Sequence, residues 1–222
     1  MFQPALRTAL VAGLALALAA GPALALEPAN IFPHKVELRT YVDSGGYAKD
    51  VAEVALEANK WLQKRIPRGT KHGKLAVVFD IDETTLSNLS HIVAMDYGYV
   101  PKLWDEWLAA GRCPAIIPVQ TVYDTAVRGK VDVIFITGRR EGDRAATERN
   151  LRQVGYETWT KIYYKPQSET PLTMAGFKTD VRRKLTQEGY VIIANIGDQN
   201  SDLVNGYAEK WFKLPNPFYI SK

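Results

Sequence analysis

Residues 75–86 read LAVVFDIDETTL. Five apolar residues open this stretch, and the acidic residues Asp80 and Asp82 follow close behind them. A short apolar run that ends in polar residues is typical of a strand buried inside a sheet. Side chains two positions apart in an extended chain point to the same side, so Asp80 and Asp82 should lie together while Ile81 packs inward. The stretch therefore predicts a buried strand that carries two carboxylates at its end.

Three further apolar runs follow along the chain. They lie at residues 131–136, 161–164 and 190–196. Helical patterns separate the runs and lie at residues 118–128, 141–154 and 177–188. Strands that alternate with helices predict a parallel sheet covered by helices on both faces. The expected fold class is therefore α/β, with a doubly wound, Rossmann-like parallel sheet.

Other parts of the chain do not follow this alternation. Residues 44–66 place apolar side chains at helical spacing and predict an N-terminal helical segment, whereas residues 26–43 have no sustained period and are interpreted as an extended arm. Residues 88–117 are rich in large aromatic side chains. We interpret residues 88–117 as a small helical and aromatic cap that is inserted beside the edge of the sheet.

The composition is that of an ordinary globular protein. Of the 222 residues, 46% are hydrophobic and 23% are charged, which excludes a disordered chain. The formal net charge is +4, and basic residues are interleaved with acidic ones, so a nucleic acid polymer is not an expected partner. The single cysteine, Cys113, excludes an internal disulfide.

The first 25 residues have the layout of a secretory signal peptide. Arg7 provides a basic start, residues 10–20 are an apolar run, and residues 23–25 (ALA) match a cleavage site of small residues. The apolar run is shorter than the about 20 residues of a membrane-spanning helix. We expect residues 1–25 to be removed and residues 26–222 to form a single exported domain, periplasmic or secreted, without a stable membrane anchor.

The polar residues that follow the predicted strands point to a metal site. Asp80 and Asp82 follow the first strand, and Asp198 and Asp202 follow the last. In open parallel sheets, ligands bind at the carboxyl ends of the strands. Carboxylates gathered at one edge repel each other unless a cation or a proton lies among them. Oxygen ligands suit a hard cation, and the expected cofactor is Mg²⁺.

Three further residues suit the binding of a phosphoryl group at the same edge. Thr137 offers a hydroxyl and Gly138 a free backbone N–H after the second strong strand. Lys178 begins the helix before the last of the predicted strands and can neutralise phosphate charge, although Lys165 is a rival for this role. Carboxylates, a metal ion, a hydroxyl and a lysine together favour phosphoryl transfer.

Four motifs, in this order, resemble the haloacid dehalogenase-like hydrolases. They are FDIDETTL at 79–86, ITGR at 136–139, GFKTDVRRKL at 176–185 and GDQNSD at 197–202. The surrounding sequence is most similar to the acid phosphatase subfamily, which includes plant vegetative storage proteins and bacterial secreted acid phosphatases. The resemblance extends from about residue 30 to residue 222. It implies a magnesium-dependent acid phosphatase that hydrolyses small-molecule phosphomonoesters.

The resemblance also implies a role for each motif residue. Asp80 is the expected nucleophile, which forms an aspartyl-phosphate, and Asp82 is the expected general acid and base, with a pKa raised relative to that of Asp80. The expected magnesium ligands are the Asp80 and Asp198 carboxylates and the Asp82 backbone carbonyl. Asp202 is expected to act through a water molecule or on Lys178.

Thr137, Gly138 and Lys178 are the residues expected to bind the phosphoryl group. Arg139 and Arg140 are interpreted as a solvated pair, and the three histidines, which lie near no motif, as surface or core residues. Tyr97 and Trp104 can belong to the core or stack on a leaving group.

Several alternatives stay open at this point. Some plant storage members of the subfamily lack the nucleophile, so a non-catalytic binding or storage protein on the same fold is the competing hypothesis, although this chain keeps Asp80. The resemblance also allows a homodimer and the transfer of phosphate to alcohols.

Overall fold

The computed structural model describes residues 27–167 and 173–221. The predicted signal peptide lies outside these residues. The described part contains a five-stranded sheet. Its strands are β1 (Lys74–Phe79), β2 (Asp132–Arg140), β3 (Lys161–Lys165), β4 (Tyr190–Gly197) and β5 (Trp211–Lys213). The strand order is β3-β2-β1-β4-β5 and every neighbouring pair is parallel.

Helices cover both faces of this sheet, which confirms the doubly wound α/β class. They are α1 (Ile31–Asp43), α2 (Gly46–Arg65), α3 (Leu89–Ala94), α4 (Pro101–Ala110), α5 (Ile117–Arg128), α6 (Arg144–Gln153), α7 (Met174–Gln187) and α8 (Asn200–Leu203). Within the described ranges, no helix combines the length and the apolar character that crossing a membrane requires.

Alternate residues of the central strand β1 build two separate cores. Val77 and Phe79 belong to the larger core, which includes buried side chains of α2 and α5. Ala76 and Val78 belong to the smaller core, which lies against α7. Each large apolar side chain buried in this way contributes about 1.5–3 kcal/mol to stability. The period of two along β1 therefore explains why both faces of the sheet are covered.

The strand order places β1 and β4 side by side at the point where the chain changes direction across the sheet. The chain runs from β1 outward through β2 and β3, and then crosses to β4 and β5. Phe79 of β1 pairs with Ile196 of β4, and the Asp80 N–H donates to the Ile196 carbonyl at 3.0 Å. A crevice opens at such a switch point in doubly wound folds. Asp80 and Asp198 follow the two strands that border it.

The structure corrects parts of the sequence interpretation. The extended arm predicted for 26–43 is wrong over Ile31–Asp43, which form α1. None of the α1 residues is fully buried, and Leu38, Tyr41 and Val42, which pack against the larger core, span little more than one turn, too short a stretch for a helical period to be clear in the sequence. The short strand β5 was not predicted at all. Within the predicted cap insert 88–117, the structure has α3 and α4.

Candidate active site

Three buried carboxylates meet at the carboxyl ends of β1 and β4. One carboxylate oxygen from each of Asp80, Asp198 and Asp202 lies within 4.8 Å of the others. Lys178 of α7 lies among them, and its Nζ donates to Asp80 Oδ1 and, at 2.6 Å, to Asp202 Oδ1. We call Asp80, Asp198, Asp202 and Lys178 the carboxylate cluster. It joins residues that are up to 122 positions apart in the chain (202 minus 80).

Neutral donors orient the carboxylate of Asp198. Thr84 Oγ1 donates to Oδ1 at 3.0 Å, while Gln199 Nε2 at 2.8 Å and Asn216 Nδ2 at 2.7 Å both donate to Oδ2. The backbone N–H of Gln199 donates to Asp202 Oδ2 at 2.8 Å. Asp198 and Asp202 are therefore both held in fixed orientations by their neighbours.

The charge balance of the cluster suits a cation. Burial raises the pKa of Asp80 well above its usual value, and Asp202 and Asp198 raise it further although Lys178 opposes the effect. Burial and the neighbouring Asp202 also raise the pKa of Asp198. Three carboxylates against one ammonium group leave an excess of negative charge in a buried site. Oxygen donors with such an excess fit a hard divalent cation.

Asp82 lies in a different environment, because Arg139 binds it directly. Arg139 Nη2 donates to Asp82 Oδ1 at 2.7 Å, and Nε donates to both carboxylate oxygens at 3.1 and 3.2 Å. Burial favours the protonated carboxyl, but the charge and hydrogen bonds of Arg139 outweigh it and hold the pKa of Asp82 below its usual value. The predicted order of the two pKa values was therefore wrong, because Arg139 was interpreted as solvated and is only 3% exposed.

The buried side-chain amide of Asn88 connects Asp82 to the insert. Asn88 Nδ2 donates to Asp82 Oδ1 at 2.8 Å and to Glu83 Oε2 at 3.1 Å. Asn88 Oδ1 accepts from Trp107 Nε1 of α4 at 2.8 Å and from Cys113 Sγ at 3.2 Å. The insert therefore helps to fix the side chain of Asp82.

Glu83 is a buried acid beside this network. Its backbone is left-handed, with φ of 53°, and its side chain is fully buried. Burial and the charge of Asp82 raise its pKa to about 8. Tyr219 Oη donates to Glu83 Oε2 at 2.8 Å, so the segment after β5 reaches the same network.

The predicted phosphoryl-binding residues lie at the ends of β2 and α7. Thr137 is buried, and its Oγ1 accepts the backbone N–H of Arg139 at 3.1 Å. Gly138 lines the cavity over the site, where a Cβ would lie 2.8 Å from Met174 Cε.

Lys178 is in the carboxylate cluster, whereas Lys165 ends β3 and is not among the residues that line the cavity. Asp202 bonds to Lys178, which is one of its two predicted roles.

A cavity of about 610 Å³ opens above these residues. Asp80, Asp82, Lys178, Asp198 and Asp202 all line it. The insert side of the wall consists of His91, Ile92, Tyr97, Gly98, Tyr99 and Trp104. The segment after β5 contributes Phe218, Tyr219, Ile220 and Ser221. The cavity thus has a charged floor and largely apolar, aromatic walls.

One histidine was misplaced by the sequence interpretation. His91 was assigned to the surface or core because it lies near no motif, but it lines the cavity. Its ring stacks on Trp107 at 5.3 Å between centroids, with an interplanar angle of 20°, and lies 5.7 Å from the ring of Trp104. Burial lowers the pKa of His91. Tyr97 and Trp104, for which the sequence allows either a core position or a contact with a leaving group, also line the cavity.

Sequence reasoning also missed Arg139 and Asn88 as partners of Asp82 and Asn216 as a partner of Asp198. Arg139 follows the Thr137-Gly138 pair directly, and this position was the one available signal. The roles of Asn88 and Asn216 depend on contacts that no local pattern encodes.

Comparison with known proteins decides the family. The description "HAD superfamily, subfamily IIIB (Acid phosphatase)" matches residues 10–222. The chain belongs to this acid phosphatase family. The resemblance that the motifs carry is thereby confirmed.

Individual relatives of this family are plant proteins and a bacterial structure. Stem 28 kDa glycoprotein of Glycine max is 40% identical over 67% of this chain and 61% of its own length. Acid phosphatase 1 of Solanum lycopersicum is 31% identical over 82% of this chain and 72% of its own length. The class C acid phosphatase of Bacillus anthracis has a TM-score of 0.70 at 24% identity, covering 84% of this chain and 85% of that one, which establishes the fold.

The chain aligns with only part of the first plant relatives, and the relatives do not all carry the same name. Aligned regions span 61% and 52% of the two soybean stem glycoproteins that match first, so the chain spans about half to three fifths of their length. Other relatives carry the name vegetative storage protein.

Proposed function

We propose that this acid phosphatase family member is a magnesium-dependent enzyme that hydrolyses small-molecule phosphomonoesters through an aspartyl-phosphate on Asp80. The observation that carries the proposal is the carboxylate cluster on the floor of an apolar cavity, with the Asp82–Arg139 pair beside it. With a divalent cation bound, a cluster of this kind would hold and polarise a phosphate, and the cavity has room for an organic leaving group.

The first step transfers the phosphoryl group to the protein. Asp80 Oδ1 accepts from Lys178, and Oδ2 accepts no hydrogen bond among the described residues, so Oδ2 is the oxygen we assign to the attack. A bond forms between Oδ2 and phosphorus while the bond from phosphorus to the ester oxygen breaks. The leaving oxygen takes a proton from the protonated form of Asp82, which the Arg139 pair makes the less populated form, and departs as an alcohol or phenol.

The second step regenerates Asp80. A water molecule attacks phosphorus and gives its proton to Asp82, and the bond from phosphorus to Asp80 Oδ2 breaks. Inorganic phosphate leaves, and an alcohol in place of water would give a transphosphorylation product. The Arg139 pair favours the carboxylate form of Asp82, which is the form that this step requires.

The residues proposed for magnesium are the Asp80 and Asp198 carboxylates and the Asp82 backbone carbonyl. Magnesium, when bound, neutralises negative charge on the phosphoryl oxygens and on the cluster. Asp202 and Lys178 complete the arrangement, since Asp202 fixes the ammonium group that faces Asp80. Thr137, Gly138 and Lys178 are proposed to hold the phosphoryl group.

The competing function is a non-catalytic binding or storage protein, which the storage-protein relatives keep open. The presence of Asp80 favours the enzyme. The deciding experiment measures p-nitrophenyl phosphate turnover by the purified protein with magnesium and with a chelator. We expect turnover that a chelator abolishes and added magnesium restores. An inactive, correctly folded wild-type protein would support the storage function instead.

We also propose that the protein is exported to the periplasm or secreted after removal of residues 1–25. The basic start, apolar run and ALA site support this proposal. A homodimer is the assembly we propose to test for, because the family resemblance allows it.

A further inference from the structure

The chain after β5 folds back onto the catalytic residues. We call residues 214–221 the closing segment. Within it, Asn216 Nδ2 donates to Asp198 Oδ2 at 2.7 Å, and Tyr219 Oη donates to Glu83 Oε2 at 2.8 Å. The backbone N–H of Ser221 donates to Gln199 Oε1 at 3.2 Å. Gln199 Nε2 also donates to the Tyr219 carbonyl at 3.3 Å, and together these hydrogen bonds connect the closing segment to the site.

Asn216 uses both ends of its amide. The nitrogen donates to Asp198, whereas the oxygen accepts the backbone N–H of Phe218 at 2.9 Å and that of Tyr219 at 3.4 Å. An asparagine that caps backbone N–H groups two and three residues ahead forms a local turn. The turn therefore fixes the side-chain amide of Asn216, and this amide in turn orients the carboxylate of Asp198.

The closing segment is itself anchored in the core. Phe218 is 8% exposed and packs between Tyr47, at 5.1 Å between ring centroids, and Tyr97, at 6.1 Å. Leu214 is fully buried, and its N–H donates to the Gly197 carbonyl at 2.9 Å. Asn216 consequently lies between two anchored residues, Leu214 and Phe218, and the backbone does not have to move for its side chain to bind Asp198.

We propose that Asn216 is a positioning residue that orients the Asp198 carboxylate for magnesium, so that the closing segment is part of the metal site. The inference rests on the proposed function. Because Asn216 and Gln199 donate to Oδ2 and Thr84 donates to Oδ1, the Asp198 carboxylate cannot rotate about its Cβ–Cγ bond without losing three hydrogen bonds. Partners of a metal ligand that act in this way contribute about 10–100-fold to metal affinity.

The test measures magnesium affinity directly, by calorimetry and by the magnesium-induced rise in melting temperature. We expect Asn216→Ala to weaken magnesium binding by about 10-fold or more, while kcat at saturating magnesium falls much less. Gln199→Ala, which removes the other donor, should weaken binding in the same direction. It also serves as the test variant if Asn216→Ala does not fold.

Asn205→Gly provides a matched control. Asn205 is an exposed asparagine whose amide donates to Thr179 Oγ1 at 3.2 Å, away from the cluster, and glycine accepts its left-handed φ of 66°. We expect the magnesium affinity of Asn205→Gly to equal that of the wild type.

The outcomes separate the two proposals. If the wild type binds no magnesium, the metal part of the proposed function fails. If the wild type binds magnesium and Asn216→Ala binds it equally well, the positioning role is overturned while the proposed function stands. A variant that loses only thermal stability, with unchanged magnesium affinity, also overturns the positioning role.

Discussion

Asp80 and Asp82 are separated by a single residue, yet they lie in two opposite electrostatic environments. Asp80 belongs to the carboxylate cluster, in which three carboxylates share one ammonium group. Asp82 forms a one-to-one pair with the guanidinium of Arg139 and accepts a further bond from Asn88. Both sites are buried, but the pKa of Asp80 is raised and that of Asp82 is lowered.

The comparison shows that burial alone does not decide how a carboxylate behaves. Desolvation is the largest influence on the pKa of both residues, and it acts in the same direction on both. The difference comes from the charges that share each site. Around Asp80, carboxylates outnumber ammonium groups, so a bound cation would stabilise the site. The charge of Asp82 is already balanced by the guanidinium of Arg139. The two carboxylates can therefore perform different tasks within one site.

The largest expected effect comes from removing the carboxylate of Asp80. We expect Asp80→Asn to lower p-nitrophenyl phosphate turnover by at least about 10³-fold, because the amide cannot form the proposed covalent intermediate. In the presence of a chelator, its melting temperature should equal or exceed that of the wild type, since one of three like charges is gone. Steady-state assays and thermal unfolding measure the two effects. Retained activity would remove Asp80 from the nucleophile role.

The same substitution two residues later should have the opposite effect on stability. Asp82→Asn leaves the buried guanidinium of Arg139 without its counter-charge, which costs about 2 kcal/mol. Because about 1 kcal/mol corresponds to about 2–4 °C in a protein of this size, the melting temperature should fall by several degrees. If Asp82→Asn and Asp80→Asn had the same melting temperature, the two carboxylates would not differ in their electrostatic environments as we infer.

Asp82→Asn should also affect substrates unequally. A general acid matters most for a poor leaving group, so we expect the loss of turnover to be about 10–100-fold larger for an alkyl phosphate than for p-nitrophenyl phosphate. Equal losses on the two esters would argue against proton donation by Asp82. The ratio of the two losses is independent of any general loss of folded protein.

The elements that carry the site could be predicted from the sequence because their signals are local. The apolar run before Asp80 and the run before Asp198 each mark a buried strand, and the ends of parallel strands meet at one edge. Lys178 was placed by its position at the start of a helix and by the family resemblance. Strand periodicity and strand ends therefore locate most of the carboxylate cluster.

The partners of these residues could not be predicted, because they depend on distant contacts. Arg139 is 57 positions from Asp82, and Asn216 is 18 positions from Asp198 on the far side of an unpredicted strand. Neither contact leaves a periodic trace in the sequence. The pKa order of Asp80 and Asp82 depends on Arg139, so the error in that order follows from the missed pairing.

The smallest effect on turnover is expected at Glu83, a buried acid close to other carboxylates. The pH dependence of the melting temperature tests whether these neighbours and burial keep Glu83 protonated. Its folded pKa is raised from 4.5 to about 8. A raised pKa contributes stability that is complete below the unfolded pKa and is lost as pH rises towards the folded pKa. At about 1.4 kcal/mol per pKa unit, the upper bound is about 5 kcal/mol. With a chelator present, the wild type should therefore melt several degrees lower at pH 8 than at pH 5.

The control variant is Glu83→Gln, which keeps an acceptor for Tyr219 and cannot ionise. Its melting temperature should change less between pH 5 and pH 8 than that of the wild type. Asp80 and Asp198, whose pKa values are also raised, leave a residual slope of the same sign, which His91 partly offsets because its lowered pKa makes stability rise with pH below its unfolded pKa of 6.5. Asp82 adds nothing in this window, since its unfolded pKa of 3.8 and its lowered folded pKa both lie beneath pH 5. An identical slope in the two proteins would show that Glu83 is ionised at pH 5, and would place it with Asp82 rather than with Asp80.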